Sequence, residues 1–194
     1  MAVFVTTIMA RSFVFIDGNN FYFKLKELSS RIEGVYALLD FDFTRFTRWL
    51  AQPNECEQVR YYIGALKRQR SNEKSEKMYA DQQRLIGRLQ QQRVTVIFGQ
   101  LIRHPDRTFH EKGVDVRLAV EMIRFAREDA YDTAYLLSSD TDLVPAVEEV
   151  RSLGKNIQYV GIAKGQSFGL TKAANDVRLL RPEDIKPFLP PKLF

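Results

Sequence analysis

Five short apolar runs, each of strand length and separated by helix-length segments, constrain the fold of this chain most strongly. The runs are Ser12–Ile16, Val59–Ile63, Val94–Phe98, Thr133–Leu137 and Ile157–Val160. They are rich in β-branched and aromatic residues and apolar almost throughout, which is typical of parallel strands buried on both faces. The segments 41–51, 72–92, 114–128 and 143–153 between them predict helices. Because strands and helices alternate, we expect a three-layer α/β/α sandwich around a mainly parallel sheet of about five strands.

Two of the later segments allow more specific expectations. The predicted helix 114–128 has one polar stripe, which includes Arg117, Glu121 and Arg124, and apolar residues over most of its remaining surface, so we expect it to be mostly buried. Four prolines in the tail 181–194 predict an extended arm or a short terminal element that either packs back or binds a partner.

No linker, repeat or shift in composition divides the chain. We therefore expect one domain over residues 1–194, with a core of about 11–162 and a C-terminal part, 163–194, that consists of a helix or strand and the Pro-rich tail.

Composition excludes several classes of protein. A chain that is 45% hydrophobic and 27% charged is globular, not disordered. The only cysteine, Cys56, cannot form an intramolecular disulfide, and with two histidines there are too few ligands for a Cys/His zinc site, so we expect a reducing, cytoplasmic setting. No apolar run is long enough to span a membrane, and the N-terminal MAVFVTTIMA lacks the basic start of an export signal.

Acidic residues follow the predicted strands at one edge of the sheet. Asp17 comes directly after the first run, Asp140 and Asp142 follow the fourth, and Asp115 lies in the first turn of the helix predicted over 114–128. Taken singly, each also suits a turn, a helix N-cap or the first turn of a helix. Because ligands bind at the carboxyl ends of parallel strands, the combination predicts that the four carboxylates converge on one site.

Four carboxylates in one site predict a bound divalent cation. Like charges a few ångströms apart raise one another's pKa values unless a cation compensates them. The available ligands are all carboxylate oxygens, which favour Mg²⁺ or Mn²⁺ over zinc. Such a site is suited to phosphoryl chemistry, because the ion polarises a phosphate and activates a water molecule.

Basic residues are expected to surround these acids. The net charge is +5, and basic residues follow several strands at the same edge of the sheet. The residues expected to contact substrate are Lys67, Arg68, Arg70, Lys112, Ser139 and Lys164. This layout suits a polyanion whose flanking phosphates bind Lys and Arg. Tyr61, Tyr62, Phe109 and Phe168 are possible stacking partners for unpaired bases, although strand positions favour burial for most of them.

The segments FVFIDGNN, KGVDV and LLSSDTDLVPAV together resemble the LabA-like branch of the NYN domains, which belong to the PIN-like nuclease superfamily, over roughly residues 11–162. The resemblance implies a Rossmann-like, PIN-like fold, a metal-dependent ribonuclease activity and RNA as the partner. By position, it matches the family's acidic residues and the asparagine after the first of them to Asp17, Asp115, Asp140, Asp142 and Asn20. Ser139 and Leu143 stand where the family often has Gly and Phe, and neither difference removes an acidic group.

Two hypotheses follow. In the first, the chain is an endoribonuclease that acts on single-stranded or structured RNA: the four aspartates hold Mg²⁺ or Mn²⁺, Asn20 orients a carboxylate or the attacking water, and Lys112 neutralises the phosphate. In the alternative, the same fold is a non-catalytic RNA-binding or regulatory adaptor, for which the basic loops and the tail matter. A haloacid-dehalogenase-like phosphatase is disfavoured, because it needs a second acid where this chain has Asn19.

Overall fold

The computed structural model describes residues 10–66, 73–103 and 109–191, and for 100–103 and 109–112 it describes the backbone alone. Within these residues the strands are β1 (Arg11–Asp17), β2 (Glu55–Ile63), β3 (Thr95–Phe98), β4 (Gln100–Arg103), β5 (Phe109–Lys112), β6 (Thr133–Leu137), β7 (Asn156–Ile162) and β8 (Asp176–Leu180). The helices are α1 (Gly18–Ser29), α2 (Phe43–Ala51), α3 (Glu73–Gln91), α4 (Val114–Arg127), α5 (Val144–Ser152), α6 (Phe168–Ala173) and α7 (Pro182–Ile185). None of the described helices combines the length and the apolar character needed to cross a lipid bilayer.

Six of the described strands form one parallel sheet in the order β3-β2-β1-β6-β7-β8. From β1 the chain adds β2 and then β3 towards one edge of the sheet, and from β6 it adds β7 and then β8 towards the other edge. The direction of strand addition therefore reverses between the neighbours β1 and β6. In open α/β sheets, the crevice at the carboxyl ends of such a pair is where ligands bind. The fold therefore marks the ends of β1 and β6 as the place for a site.

Both faces of the sheet are buried. Along β1, Val14 and Ile16 lie in a core covered by α1, α2, α3 and the C-terminal segment, whereas Phe13 and Phe15 lie in a second core covered by α4, α5 and α6. This confirms the predicted α/β/α sandwich and explains why the strand runs are apolar on both faces.

The five predicted strands correspond to β1, β2, β3, β6 and β7. The sequence patterns set no bounds for the sixth strand of the sheet, β8, which lies in the C-terminal part expected to contain a helix or strand, and they did not indicate the antiparallel hairpin of β4 and β5 or helix α1. Each of the four predicted helices agrees with an observed one to within two residues at the described ends.

The expectation that α4 is mostly buried was wrong. Leu118, Met122 and Ala126 face the core, but Val116 is 66% exposed and lies on the other side of the helix. Glu121, expected on a polar stripe, is 6% exposed, because its carboxylate accepts hydrogen bonds from Arg60 Nη2 at 2.7 Å and from the Tyr62 hydroxyl at 2.8 Å. Because Arg60 on β2 supplies the opposite charge, Glu121 is buried at a position where the spacing of residues in α4 alone predicts exposure.

The described part of the C-terminal tail packs back onto the domain. Ile185, Phe188 and Leu189 are buried. The Phe188 ring lies 5.5 Å from that of Phe46 on α2, and a β-bridge joins Tyr36 to Pro191.

Candidate active site

A cleft of about 320 Å³ lies at the carboxyl end of β1, between the start of α1 and the start of α4. Its lining residues are Asp17, Asn19, Asn20, Phe23, Gly113, Val114, Asp115 and Asp140. Three of the four predicted aspartates therefore line one cavity, although they come from three separate parts of the chain.

Asp17 is the last residue of β1 and the N-cap of α1, and it is only 6% exposed. Its Oδ1 accepts a hydrogen bond from the backbone N–H of Asn20 at 3.1 Å, and its Oδ2 accepts one from the Ser138 hydroxyl at 3.0 Å. The next residue must be glycine, because a Cβ at Gly18 would lie 2.7 Å from the carbonyl oxygen of Tyr62. Asp17 is thus held in one orientation by both of its oxygens.

The loop after β6 carries the second pair of acids. The Ser138 hydroxyl accepts a hydrogen bond from the backbone N–H of Asp140 at 3.1 Å, and Asp140 Oδ1 accepts one from the N–H of Asp142 at 3.0 Å. Asp140 therefore caps the 3-10 turn Thr141–Leu143, as the sequence allowed, and also lines the cleft. Asp142 is exposed beside the cleft and is not among its lining residues.

Asp115 reaches the cleft from the first turn of α4. Gly113 precedes this helix with a φ of 81°, a left-handed conformation that suits glycine, and no side chain that the structure describes caps the helix N terminus. The first amide groups of α4 therefore border the cleft together with Asp115. Such a helix end carries partial positive charge and favours anions.

Burial and neighbouring charges raise the pKa values of Asp17 and Asp115. Burial raises the pKa of Asp17, and the charges of Asp115 and Asp140 raise it further. Burial also raises the pKa of Asp115, with contributions from Asp140 and Asp142. Among the ion pairs between described residues, none includes any of these four aspartates.

This donor set fits a hard divalent cation, because it consists of negatively charged oxygens that repel one another in the absence of a cation. In the described part of the chain, no three acidic, histidine or cysteine side chains already stand as a metal-binding group. The carboxylates are therefore gathered around one cleft without forming a closed cage.

The predicted substrate contacts are distributed unevenly. Lys67, Arg68 and Arg70 lie outside the described residues, as does the side chain of Lys112. Lys164 is exposed on the loop after β7, with its Nζ 3.7 Å from Glu27 Oε1. Because most of these side chains lie outside the described residues, the expected ring of basic residues around the acids stays a prediction.

Ser139 does not line the cleft. It borders a small, separate cavity, and its hydroxyl is buried without a hydrogen-bond partner among the described residues. Its neighbour Ser138, which the sequence did not single out, instead makes the contacts to the acids.

The sequence also did not single out Phe23. Asn19, Asn20 and Phe23 lie on neighbouring turns of one face of α1. A prediction of this helix would therefore have placed Phe23 beside the two asparagines. Of the stacking candidates named from the sequence, Tyr61 and Tyr62 are buried, the side chain of Phe109 is not described, and Phe168 is exposed but does not line the cleft.

A larger groove of about 840 Å³ lies between α3 and the C-terminal segment. Arg84 and Arg88 line it, but both pair with Asp40, at 2.5 and 2.8 Å. Because this groove lacks a cluster of unneutralised acids, the smaller cleft is the better candidate for chemistry.

Comparison with known proteins adds a family and a related structure. No curated protein matches the chain. A solved structure of a protein of unknown function from Vibrio parahaemolyticus is similar, with a TM-score of 0.69 and 19% identity over 95% of this chain and 99% of that one, which supports the fold alone. The model of the NYN domain matches residues 11–180. Because this match spans most of its length, the chain belongs to the NYN domain family, a family of PIN-like nucleases.

Proposed function

We propose that the chain is an endoribonuclease that depends on Mg²⁺ or Mn²⁺ and hydrolyses phosphodiester bonds of single-stranded or structured RNA. One observation carries the proposal: Asp17, Asp115 and Asp140, from three separate segments, line one cleft at the reversal point of the sheet. Burial, and after it the charges of the neighbouring aspartates, raise the pKa values of Asp17 and Asp115, and a non-catalytic adaptor would not require such an unfavourable arrangement.

Asp17, Asp115 and Asp140 would hold the ion, with Asp142 contributing from the rim of the cleft. A bound ion supplies Lewis-acid chemistry, polarising the phosphate and lowering the pKa of a bound water. Ser138 fixes the orientation of Asp17 and the position of Asp140 through its two hydrogen bonds.

The remaining residues of the site bind and orient the substrate. The side chain of Asn20 lines the cleft and orients a carboxylate or the attacking water. The uncapped amide groups at the start of α4 attract the phosphate being cleaved. The residues proposed to bind flanking phosphates or sugars are Lys67, Arg68, Arg70, Lys112 and Lys164, whereas the buried hydroxyl of Ser139, also expected from the sequence to contact substrate, is not accessible to it.

The proposal includes a cellular setting. The free thiol of Cys56 is consistent with a reducing, cytoplasmic location. RNA is the expected partner. Binding of a second copy or another protein to the C-terminal arm stays a prediction, since the described part of the arm packs on its own chain.

The test is cleavage of an internally labelled RNA with Mn²⁺, with Mg²⁺ and with EDTA. Asp17→Asn and Asp140→Asn should each lower the rate by about 100-fold or more, beyond the roughly 10–100-fold effect of a change around the ligands. Asp176→Asn, an exposed aspartate at the other end of the sheet, is the matched control and should cleave like wild type.

Binding must be measured beside cleavage. If the wild type binds RNA without cleaving it and both cleft variants bind equally well, the chain is an adaptor and the proposal fails. If cleavage occurs equally with EDTA, the metal dependence fails.

A further inference from the structure

Phe23 is placed in the cleft in a way that the fold does not require. On α1, Phe21, Leu25 and Leu28 are buried against the sheet, whereas Phe23 lies on the opposite face and is 67% exposed. It lines the cleft together with Asp17 and Asp115. A polar residue would serve the helix equally well at this position, because the side chain adds nothing to the core.

Exposed aromatic rings are uncommon in this chain. Among the aromatic side chains that the structure describes, only Phe23 and Phe168 are exposed, and only Phe23 lines the cleft. The ring of Tyr22 lies 6.0 Å from that of Phe23 at an angle of 70°, an edge-to-face contact that supports its position. The cleft thus presents one supported aromatic face beside a set of carboxylates.

The neighbours of Phe23 indicate what binds this face. Asn19 and Asn20 lie four and three residues earlier on α1, respectively, and line the same cleft, so amide donors and acceptors lie next to the ring. An apolar protein surface docked here would bury the charges of Asp17 and Asp115 without partners, which is unfavourable. A nucleobase, in contrast, has a flat face for the ring, polar edges for the amides and an attached phosphate for the metal site.

We propose that Phe23 stacks on an unpaired base of the RNA, next to the phosphate bound at the proposed metal site, and thereby selects single-stranded substrate. The inference rests on the proposed function, because it takes the acidic cleft as the RNA site. Bases within a duplex are stacked on their neighbours and cannot offer a face to Phe23 without first being pulled out. The cleft volume of about 320 Å³ lies at the lower end of the ~300–1,000 Å³ range of small-ligand sites, which suits one base.

The experiment measures binding by fluorescence anisotropy, with Ca²⁺ as the divalent ion, of a short unstructured labelled RNA and of the same RNA annealed to its complement. Phe23→Ala should weaken binding of the single strand by about 5- to 150-fold, the range for loss of one stacked base. Phe23→Trp should keep wild-type affinity, and Phe23→Leu, which keeps an apolar side chain without an aromatic face, should lose most of it. Phe168→Ala removes an equally exposed ring outside the cleft and should bind like wild type.

The inference is overturned if Phe23→Ala, shown by thermal unfolding to be folded, binds the single strand like wild type. It is also overturned if Phe23→Leu does so, or if Phe168→Ala weakens binding equally. The proposed function fails separately. A wild type that binds single strands through Phe23 but never cleaves them contradicts catalysis alone, whereas Asp17-dependent cleavage with full affinity in Phe23→Ala contradicts stacking alone.

Discussion

The hydroxyl of Ser138 donates a hydrogen bond to Asp17 Oδ2 at 3.0 Å. The Ser138 hydroxyl oxygen also accepts a hydrogen bond from the backbone N–H of Asp140. One serine therefore links two candidate metal ligands across the neighbouring strands β1 and β6. In metal sites, groups that hold ligands in this way fix the orientation of those ligands and so influence metal affinity.

Ser138→Ala should weaken the metal site and the fold together. Loss of a hydrogen bond to a buried charged group costs about 1.5–3 kcal/mol, and loss of a ligand's orienting partner lowers metal affinity by about 10–100-fold. Thermal unfolding and Mn²⁺ titration measure the two effects. Ser139→Ala is the matched control for stability, because its buried hydroxyl has no partner among the described residues, and its change should stay within about 0.5 kcal/mol. Equal Mn²⁺ affinity in Ser138→Ala and wild type would show that Ser138 does not position Asp17 for the ion.

Asp17→Asn should stabilise the metal-free protein at neutral pH. The folded state raises the pKa of Asp17 above its ordinary value of 3.8, mainly through burial. Between 3.8 and that raised pKa the folded protein holds a proton that the unfolded chain has released, so stability falls as pH rises through this window. Asparagine removes the charge and keeps an N-cap acceptor. We expect the Tm in EDTA to rise by about 2–4 °C, the shift that ~1 kcal/mol produces at this size. The gain should disappear below about pH 4, the ordinary range of the carboxyl group.

Asp132→Asn is the control of opposite sign. Hydrogen bonds from the Arg11 side chain and backbone lower the pKa of Asp132 to about 2, so its contribution is present above 3.8 and is lost as pH falls through about 2. This variant should lower the Tm at neutral pH. Added Mn²⁺ should raise the Tm of wild type and of Asp132→Asn, but not that of Asp17→Asn. A lower Tm for Asp17→Asn in EDTA would show that the buried charge of Asp17 does not destabilise the metal-free fold.

The edge of the sheet that carries the site could be predicted because it depends on strand order and not on side-chain detail. Asp17 and Asp140 follow apolar runs directly, and the carboxyl ends of parallel strands meet at one edge. The contact between Ser138 and Asp17 could not be predicted in this way, because it depends on the register of β1 against β6 and on a serine rotamer.

Local features explain why the sequence patterns indicate neither helix α1 nor the bounds of strand β8. In α1, the run Phe21-Tyr22-Phe23 places aromatic rings on both faces and hides the helical period, although only Phe21 is buried. In β8, Arg178 interrupts a run of only five residues, and its position at the edge of the sheet relaxes the need for continuous apolarity. The burial of Glu121 depends on Arg60, 61 residues away in the sequence.

Glu121→Ala should destabilise the fold strongly. Its carboxylate is the partner of Arg60, whose side chain is itself mostly buried, so the substitution leaves a buried charge without a partner, at a cost of about 3–5 kcal/mol. The matched control is Glu128→Ala, which breaks an exposed pair with Arg124 at 3.8 Å and should cost less than about 1 kcal/mol. Urea midpoints with unchanged slopes measure both. Similar costs for the two variants would mean that the buried network contributes no more than a surface pair.

Phe188→Ala tests how firmly the tail is attached. The Phe188 ring is buried against Phe46 and lies 5.7 Å from the ring of Trp49, the only tryptophan of the chain. Truncation of a buried phenylalanine costs about 3–5 kcal/mol, a large share of the ~5–15 kcal/mol that stabilises a typical domain. Because the substitution also opens one side of Trp49 to water, its fluorescence should shift to longer wavelength in the folded protein. Phe168→Ala removes an exposed ring and should change neither the urea midpoint nor the emission. An unchanged midpoint and emission in Phe188→Ala would show that the tail leaves α2 in solution and is free to bind a partner.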